Sequence, residues 1–277
     1  MALDRRPPTR SRRKERDAKQ KRFGVLLFII GFAVLAGIGA LYLYATKSNP
    51  TLGADLCPES GPVSVTAVVV DVTDPASRVT QAAIRSRVLA AADDLPRFGM
   101  VKIFAAGADE TALLQPLFSK CNPGTKGEVD KYTSSPELVQ KQHDEQFEMP
   151  LRAALDGMLD VPKADASPIL EGIQAVTVAA FPPAVAKLPR RLIVASDLIQ
   201  NSRAYTMYGH PLDDRAAERA GEAIPAQLDG VDVELLVIRR EAQDALQMSP
   251  EFLDFWEGWL GAAGARVRHS VLMPGRN

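Results

Sequence analysis

Beyond residue 62, short apolar runs alternate with longer segments that carry apolar residues at helical spacing. Five runs have the length and the β-branched content of buried strands; they cover residues 63–70, 100–105, 191–195, 231–238 and 266–272. Helices are predicted between and after them; they cover residues 77–94, 136–159, 168–180, 212–228 and 249–263. Residues 107–135 are rich in loop-forming residues and support no firm assignment beyond a short additional strand.

This alternation determines the expected fold class. Strands that alternate with helices favour right-handed crossovers and a mostly parallel sheet with helices on both faces. The sequence therefore predicts a doubly wound α/β domain over residues 62–277, preceded by a linker at residues 47–61 that is rich in Pro and Gly.

Residues 23–46 form a different kind of segment, because none of their side chains is charged. At about 1.5 Å per residue, a helix of this length reaches roughly 36 Å, enough to cross the hydrocarbon core of a bilayer. A cleaved signal peptide is the alternative, but its apolar run is usually shorter and Ala45-Thr46-Lys47 makes a poor cleavage site. We therefore expect an uncleaved transmembrane helix.

The small residues Ala33 and Gly37 of this helix lie at a spacing that allows close helix association, so a homo-oligomer is compatible with the sequence.

Charge predicts the orientation of this helix. Residues 1–22 hold ten Lys or Arg against three Asp or Glu. The positive-inside rule places this tail in the cytoplasm, against anionic lipid, and the α/β domain in the periplasm or its extracytoplasmic equivalent. We thus expect a single-pass protein of the inner (plasma) membrane. The whole chain has a net charge of −1, so the exported part is acidic, which argues against nucleic-acid binding by that part.

The two cysteines both follow the predicted membrane helix. Cys57 precedes the first strand and Cys121 lies in a Pro/Gly-rich loop after the second. In an oxidising compartment such a pair tends to be bridged, so we expect a disulfide that ties the entry segment to the sheet.

Polar side chains follow two predicted strands and open one predicted helix. The clusters are Asp71-Val72-Thr73-Asp74, Asp165-Ala166-Ser167 and Ser196-Asp197. The carboxyl ends of parallel strands meet at one edge of a sheet, so residues distant in sequence converge there. Carboxylate and hydroxyl oxygens without His or Cys are the ligands that Mg²⁺ prefers.

This arrangement resembles a von Willebrand factor type A (vWA) domain over about residues 62–273. The metal-ion-dependent adhesion site of that family uses Asp-x-Ser-x-Ser after the first strand, a Thr in a later loop and an Asp after the fourth strand. By resemblance, Asp71 and Thr73 match the first two positions, and Ser167 in SPILEGI stands in for the Thr. Asp197 in ASDL matches the last acid. The resemblance implies docking of a protein partner, with Mg²⁺ or another divalent cation between the two.

The sequence departs from the family pattern at two positions. Pro75 replaces the second Ser and offers no side-chain oxygen, and Leu198 replaces the Gly common after the last Asp. Asp74 or Ser77 could supply the missing oxygen after a rearrangement of the loop. Two hypotheses therefore stay open. Either the site holds a cation, or it is a degenerate metal-free site whose residues cap turns.

The loop that follows the last of these clusters adds a candidate contact surface. Residues 203–214 carry Tyr205, Met207, Tyr208 and His210. Loops rich in aromatic residues beside a ligand-binding edge often contact partners. We therefore predict that these four side chains contact a partner protein.

These features predict a membrane-anchored protein-binding or assembly module rather than an enzyme. One alternative is a metal-dependent hydrolase with Ser196 or Thr73 as nucleophile, but the sequence lacks an HExxH, Gly-x-Ser-x-Gly or Walker A motif. The other is a purely structural anchor of a membrane complex.

Overall fold

A computed structural model describes residues 10–73, 77–107, 115–158, 166–209 and 211–273. The chain divides into two compact units, Met1–Pro50 and Thr51–Asn277. The first contains α1 (Arg10–Ser48), in which Gln20–Thr46 is long and apolar enough to cross a membrane. A signal sequence near the amino terminus meets the same criterion, so α1 is a candidate membrane anchor by length and composition.

The second unit is built on a six-stranded sheet with the order β3-β2-β1-β4-β5-β6. The strands are β1 (Ser64–Asp71), β2 (Gly99–Ala106), β3 (Phe118–Cys121), β4 (Arg190–Ser196), β5 (Asp232–Ile238) and β6 (Arg266–Met273). β3 is antiparallel to β2, and the other pairings are parallel. The predicted α/β fold class is therefore confirmed, and β3 is the short strand in the region that the sequence left unassigned.

Each of the five predicted helices has a counterpart in the described residues, but two differ in extent and one short helix was not predicted. They are α2 (Arg78–Asp93), α3 (Pro136–Gln142), α4 (Met149–Met158), α5 (Ile169–Ala180), α6 (Ala216–Ala223), α7 (Asp244–Gln247) and α8 (Pro250–Ala262). The single helix predicted over residues 136–159 is divided by a π-helical turn, His143–Glu148. The helix predicted over residues 212–228 is confined to α6.

Two apolar cores lie on opposite faces of the sheet. One face packs against α5, α6 and α8, with Trp256 and Trp259 of α8 among its largest buried side chains. The other packs against α2 and α4. Strand β1 contributes alternate residues to both cores, which explains why its sequence is a continuous apolar run rather than an alternating one.

A disulfide joins Cys57 to Cys121, with the two Cα atoms 5.0 Å apart. It connects the segment that enters the α/β domain to β3, the edge strand that closes one side of the sheet. The predicted pairing is confirmed.

Candidate functional site

The described members of the predicted clusters meet at the carboxyl edge of the sheet. Strands β1 and β4 are parallel neighbours, with Val70 opposite Ala195, so the residues that follow them lie side by side. Ser167 joins them because its backbone N–H donates to Asn201 O at 3.0 Å and its O accepts from Asn201 N–H at 2.9 Å. This pair of hydrogen bonds fastens the start of α5 to the loop after β4.

Asp71 is the centre of the hydrogen-bond network at this edge. Its Oδ1 accepts from the Thr73 hydroxyl at 2.6 Å and from the Thr73 backbone N–H at 2.9 Å. Its Oδ2 accepts from the Ser196 hydroxyl at 2.7 Å and from the Ser167 hydroxyl at 3.3 Å. Thr73 Oγ1 also lies 3.2 Å from Ser167 Oγ. The oxygens of Asp71, Thr73 and Ser167 therefore form one compact group, which we call the oxygen cluster.

Asp197 lies beside this cluster but has different partners. Its Oδ1 accepts from the Ile199 backbone N–H at 2.9 Å, and Arg240 Nε lies 2.9 Å from its Oδ2. Burial raises the pKa of Asp197 to about 7, the negative charge of Asp71 adds to the rise, and the Ile199 hydrogen bond opposes it. The Arg240 guanidinium also favours the charged form, so we describe Asp197 as the acidic half of a buried ion pair.

Arg240 is a residue of the site that sequence reasoning missed. It follows β5, which runs parallel to β4, so its backbone reaches the same carboxyl edge as Asp71 and Asp197. The sequence could have indicated this residue, because β5 ends at the same edge of the sheet as β1 and β4. Arg239-Arg240 is a basic pair at that point of the sequence.

The loop after β4 is held by buried polar side chains. Gln200 is fully buried; its Oε1 accepts from the Leu170 backbone N–H at 2.9 Å, and its Nε2 donates to Glu171 at 2.9 Å. Gln247 Nε2 donates to Asp197 O at 2.8 Å, and Trp256 Nε1 donates to Leu198 O at 3.0 Å. These bonds connect the segment from Asp197 to Gln200 to α5, α7 and α8.

Leu198 has a backbone conformation that usually requires Gly. Its φ is 59°, in the left-handed region, while its side chain is fully buried in the larger core. The left-handed backbone costs a branched residue roughly 1–2 kcal/mol, and burial of the side chain contributes roughly 1.5–3 kcal/mol. Apolar packing therefore outweighs the strain, and the loop keeps its turn without Gly.

Glycine should destabilise the domain less than alanine at position 198, although glycine is usually the more destabilising replacement in a core. We expect Leu198→Ala to lower the free energy of unfolding by about 2 kcal/mol, because it removes the buried side chain and keeps the strain. Leu198→Gly should lower it by only about 1 kcal/mol, because Gly relieves the strain. Urea unfolding followed by tryptophan fluorescence measures both. A larger loss of unfolding free energy for Leu198→Gly than for Leu198→Ala would mean that the left-handed backbone at this position is not strained.

The oxygen cluster has the chemistry of a site for a hard cation. Ligands around Mg²⁺ at about 2.1 Å lie about 3 Å from their octahedral neighbours. The distances within the cluster run from 2.6 Å, between Asp71 Oδ1 and Thr73 Oγ1, to 3.3 Å, between Asp71 Oδ2 and Ser167 Oγ. Every atom is a carboxylate or hydroxyl oxygen. These three residues fit a divalent cation, whereas Asp197 is engaged with Arg240.

Ser77 and Asp74 are the two further candidate ligands. Ser77 is the N-cap of α2, and its Oγ accepts from the Thr80 backbone N–H at 3.2 Å. Asp74 lies outside the described residues, as do Pro75 and Asp165.

In the loop at residues 203–214, the described side chains of the predicted contact surface are less exposed than the sequence predicts. Met207 is buried in the larger core, so its predicted place on a contact surface is wrong: its side chain packs inward while its backbone N–H donates to Gln200 O. Tyr205 is half-buried and stacks on Phe255, with ring centroids 5.6 Å apart. Tyr208 is 40% exposed, and its hydroxyl accepts from Arg240 Nη1 at 3.5 Å. His210 lies outside the described residues.

Comparison with known proteins gives a likeness of fold. No protein-family model matches the chain, and no curated protein matches it. Among solved structures, the chain is similar to the crystal structure of the SpRpn10 VWA domain, at 10% sequence identity and a TM-score of 0.39. The similarity covers 76% of this chain and 88% of that one. It concerns the fold alone.

Proposed function

We propose that the chain is a membrane-anchored protein-binding module that docks a partner protein at the carboxyl edge of its α/β sheet. The observation that carries this proposal is the convergence of the oxygen cluster, Arg240 and exposed Tyr208 at one edge. Polar groups that converge at the carboxyl ends of parallel strands form the usual ligand site of open α/β sheets. An aromatic side chain and an arginine next to them are the residue types enriched where proteins meet.

A divalent cation is part of this proposal. Asp71, Thr73 and Ser167 would hold it, and Mg²⁺ is the ion that suits their oxygens best. When bound, the ion would offer a free coordination position to a carboxylate of the partner. Without it, Arg240 and the hydroxyls would be the groups that meet such a carboxylate.

The proposed location follows from the charges that flank α1. The segment Gln20–Thr46 would span the inner (plasma) membrane, with the basic tail in the cytoplasm against anionic lipid. The α/β domain would then be extracytoplasmic. The disulfide supports this placement, because such bonds persist in oxidising compartments.

The buried hydroxyl of Ser196 bears on the hydrolase alternative. Ser196 Oγ donates to Asp71 and accepts from the Leu198 backbone N–H at 2.9 Å, and the residue is almost fully buried. A nucleophile must reach its substrate, so this position favours a structural role for Ser196. Protein docking requires only the groups exposed at the edge.

Photo-crosslinking from position 208 tests the proposed docking. A photoreactive phenylalanine analogue placed at Tyr208 in the full chain, in its native membranes, should form an adduct with a partner protein. If a cation mediates the docking, Asp71→Asn should abolish the adduct, because it removes the negative charge that would hold the cation. If the cation takes part, EDTA should remove the adduct and Mg²⁺ should restore it.

Val178 supplies the matched control position. It is 70% exposed near the end of α5, whereas the site lies at the start of that helix. The same photoreactive group there should give no such adduct. Equal adducts from both positions, or none from position 208, would overturn the proposal; the second result is what a purely structural anchor predicts.

A further inference from the structure

Strand β6 forms an open side of the sheet. Within the described part of the chain it is the last strand on this side and pairs with β5 alone. Its residues are largely exposed, including Val271 at 39% and Leu272 at 51%. The outer backbone N–H and C=O groups of such a strand are a template for a further strand, and exposed apolar side chains beside them strengthen the contact.

A basic cleft adjoins the beginning of β6. It has a volume of about 680 Å³ and lies at the amino edge of the sheet, where β1, β4, β5 and β6 begin, with the end of α2 at one side. Its charged lining comprises five Lys or Arg and three Asp or Glu. These residues are Lys187, Arg190, Arg191, Arg266 and Arg268, and Asp94, Asp232 and Glu234. The cleft is therefore a positive surface at the edge opposite the oxygen cluster.

Two of the three acids are already neutralised by arginines. Arg266 Nε and Arg268 Nε lie 2.7 Å and 3.2 Å from Asp232 Oδ1. Glu234 likewise lies between two arginines. Arg191 Nη2 is 2.5 Å from Glu234 Oε2, and Arg87 Nη2 is 2.5 Å from Glu234 Oε1. Each of these carboxylates therefore has two guanidinium partners, although Arg87 lies outside the cleft lining, and the lining as a whole keeps two positive charges in excess. An acidic ligand would meet this excess without competing with a free acid at either position.

From this combination we infer that the outer edge of β6 binds an acidic, extended segment of another protein, which adds to the sheet as a strand. Main-chain hydrogen bonds to β6 would supply affinity, and the basic cleft would select negative charge. This surface is independent of the carboxyl-edge site. A second copy of the chain is a poor occupant of the cleft, because the β6 strand that it would add carries Arg266 and Arg268 and lacks the negative charge that the cleft selects.

Binding of an acidic strand-forming peptide tests the inference. The probe is a fluorescent peptide of alternating Glu and Val, added to the full chain in neutral detergent and followed by fluorescence anisotropy. We expect saturable binding that weakens with added salt. The double variant Arg266→Gln, Arg268→Gln should weaken it about tenfold. Amide hydrogen exchange across residues 266–273 should slow when the peptide is present.

The matched control is the pair Arg215→Gln, Arg219→Gln. These arginines are also exposed and also contact acids, Glu218 and Asp213, but they belong to α6 and its preceding loop. This variant should bind the peptide like the unmodified chain, and thermal unfolding of both double variants shows whether each is folded.

Two results would overturn the inference. One is equal binding of a peptide whose backbone nitrogens are methylated at alternate positions, since such a peptide keeps the charge and cannot pair as a strand. The other is a chain that associates with itself through β6 and binds no peptide. Slowed exchange of β6 with the unmethylated peptide, and its absence with the methylated one, is the supporting result.

Discussion

Replacing Cys57 and Cys121 together by alanine is expected to lower the free energy of unfolding of the α/β domain by about 4 kcal/mol. The two cysteines are 64 residues apart, and the closed loop contains β1, α2 and β2. In the chain-entropy account, a cross-link of this span restricts the unfolded chain far more than the folded one. Alanine is the substitution of choice because both sulfur atoms are buried, so a serine hydroxyl would add a separate penalty.

Urea unfolding of the full chain in detergent measures this loss. The chain has two tryptophans, Trp256 and Trp259, both in the core of the α/β domain, so their fluorescence reports that unit rather than α1. Reduction of the unmodified protein should give nearly the same loss as the double substitution. An unchanged unfolding midpoint in either case would mean that the bond does not restrict the unfolded chain as described.

The sheet could be predicted because its signals are local and repeated. Strands β1, β4 and β5 are apolar runs that need only their own residues to be recognised. The meeting of Asp71 with Ser196 then follows from topology, because parallel strands bring their ends to one edge. The disulfide was predicted differently, from two cysteines that both follow the predicted membrane helix. Strand β3 is different. It has four residues, too few for a periodic pattern, and it is held in place by pairing with β2.

The features that the sequence did not predict depend on contacts between distant residues. A left-handed backbone at Leu198 is unfavourable locally and is maintained by the core around the side chain. Met207 lies in a polar stretch of sequence that predicts exposure, yet its side chain packs into the larger core. The partner of Asp197 is Arg240, a residue 43 positions later in the chain. Each depends on tertiary structure that overrides local preference.

Glu234 is a buried carboxylate that is held by two arginines. It lies within β5 with only 2% of its side chain exposed, between Arg87 of α2 and Arg191 of β4. Burial pushes the pKa of Glu234 upward, but the hydrogen bonds and charges of Arg191 and Arg87 outweigh it and leave the pKa below its ordinary value. A carboxylate in this position joins one helix and two strands at the amino edge of the sheet.

Removing this carboxylate should therefore be costly. We expect Glu234→Ala to lower the free energy of unfolding by about 3 kcal/mol at neutral pH, because two partly buried guanidinium groups lose their shared partner. The sign of the acid effect follows from the lowered pKa: this stabilisation is fully present above the ordinary range of a glutamate and is lost as pH falls through the folded-state value. Urea unfolding at pH 7 and at progressively lower pH, down to about 3, should show the variant approaching the unmodified chain.

Asp232 provides the control for this prediction. It lies two residues earlier on the same strand and also contacts two arginines, Arg266 and Arg268, but about a third of its side chain is exposed. Solvent screens such a pair, so Asp232→Ala should change the free energy of unfolding by only about 0.5 kcal/mol. Equal losses from Asp232→Ala and Glu234→Ala would show that burial does not separate the two carboxylates. A large difference would establish Glu234 as the ionic link between α2 and strands β4 and β5 at the amino edge of the sheet. Asp232 would then serve only to hold Arg266 and Arg268 in place at the surface of the basic cleft.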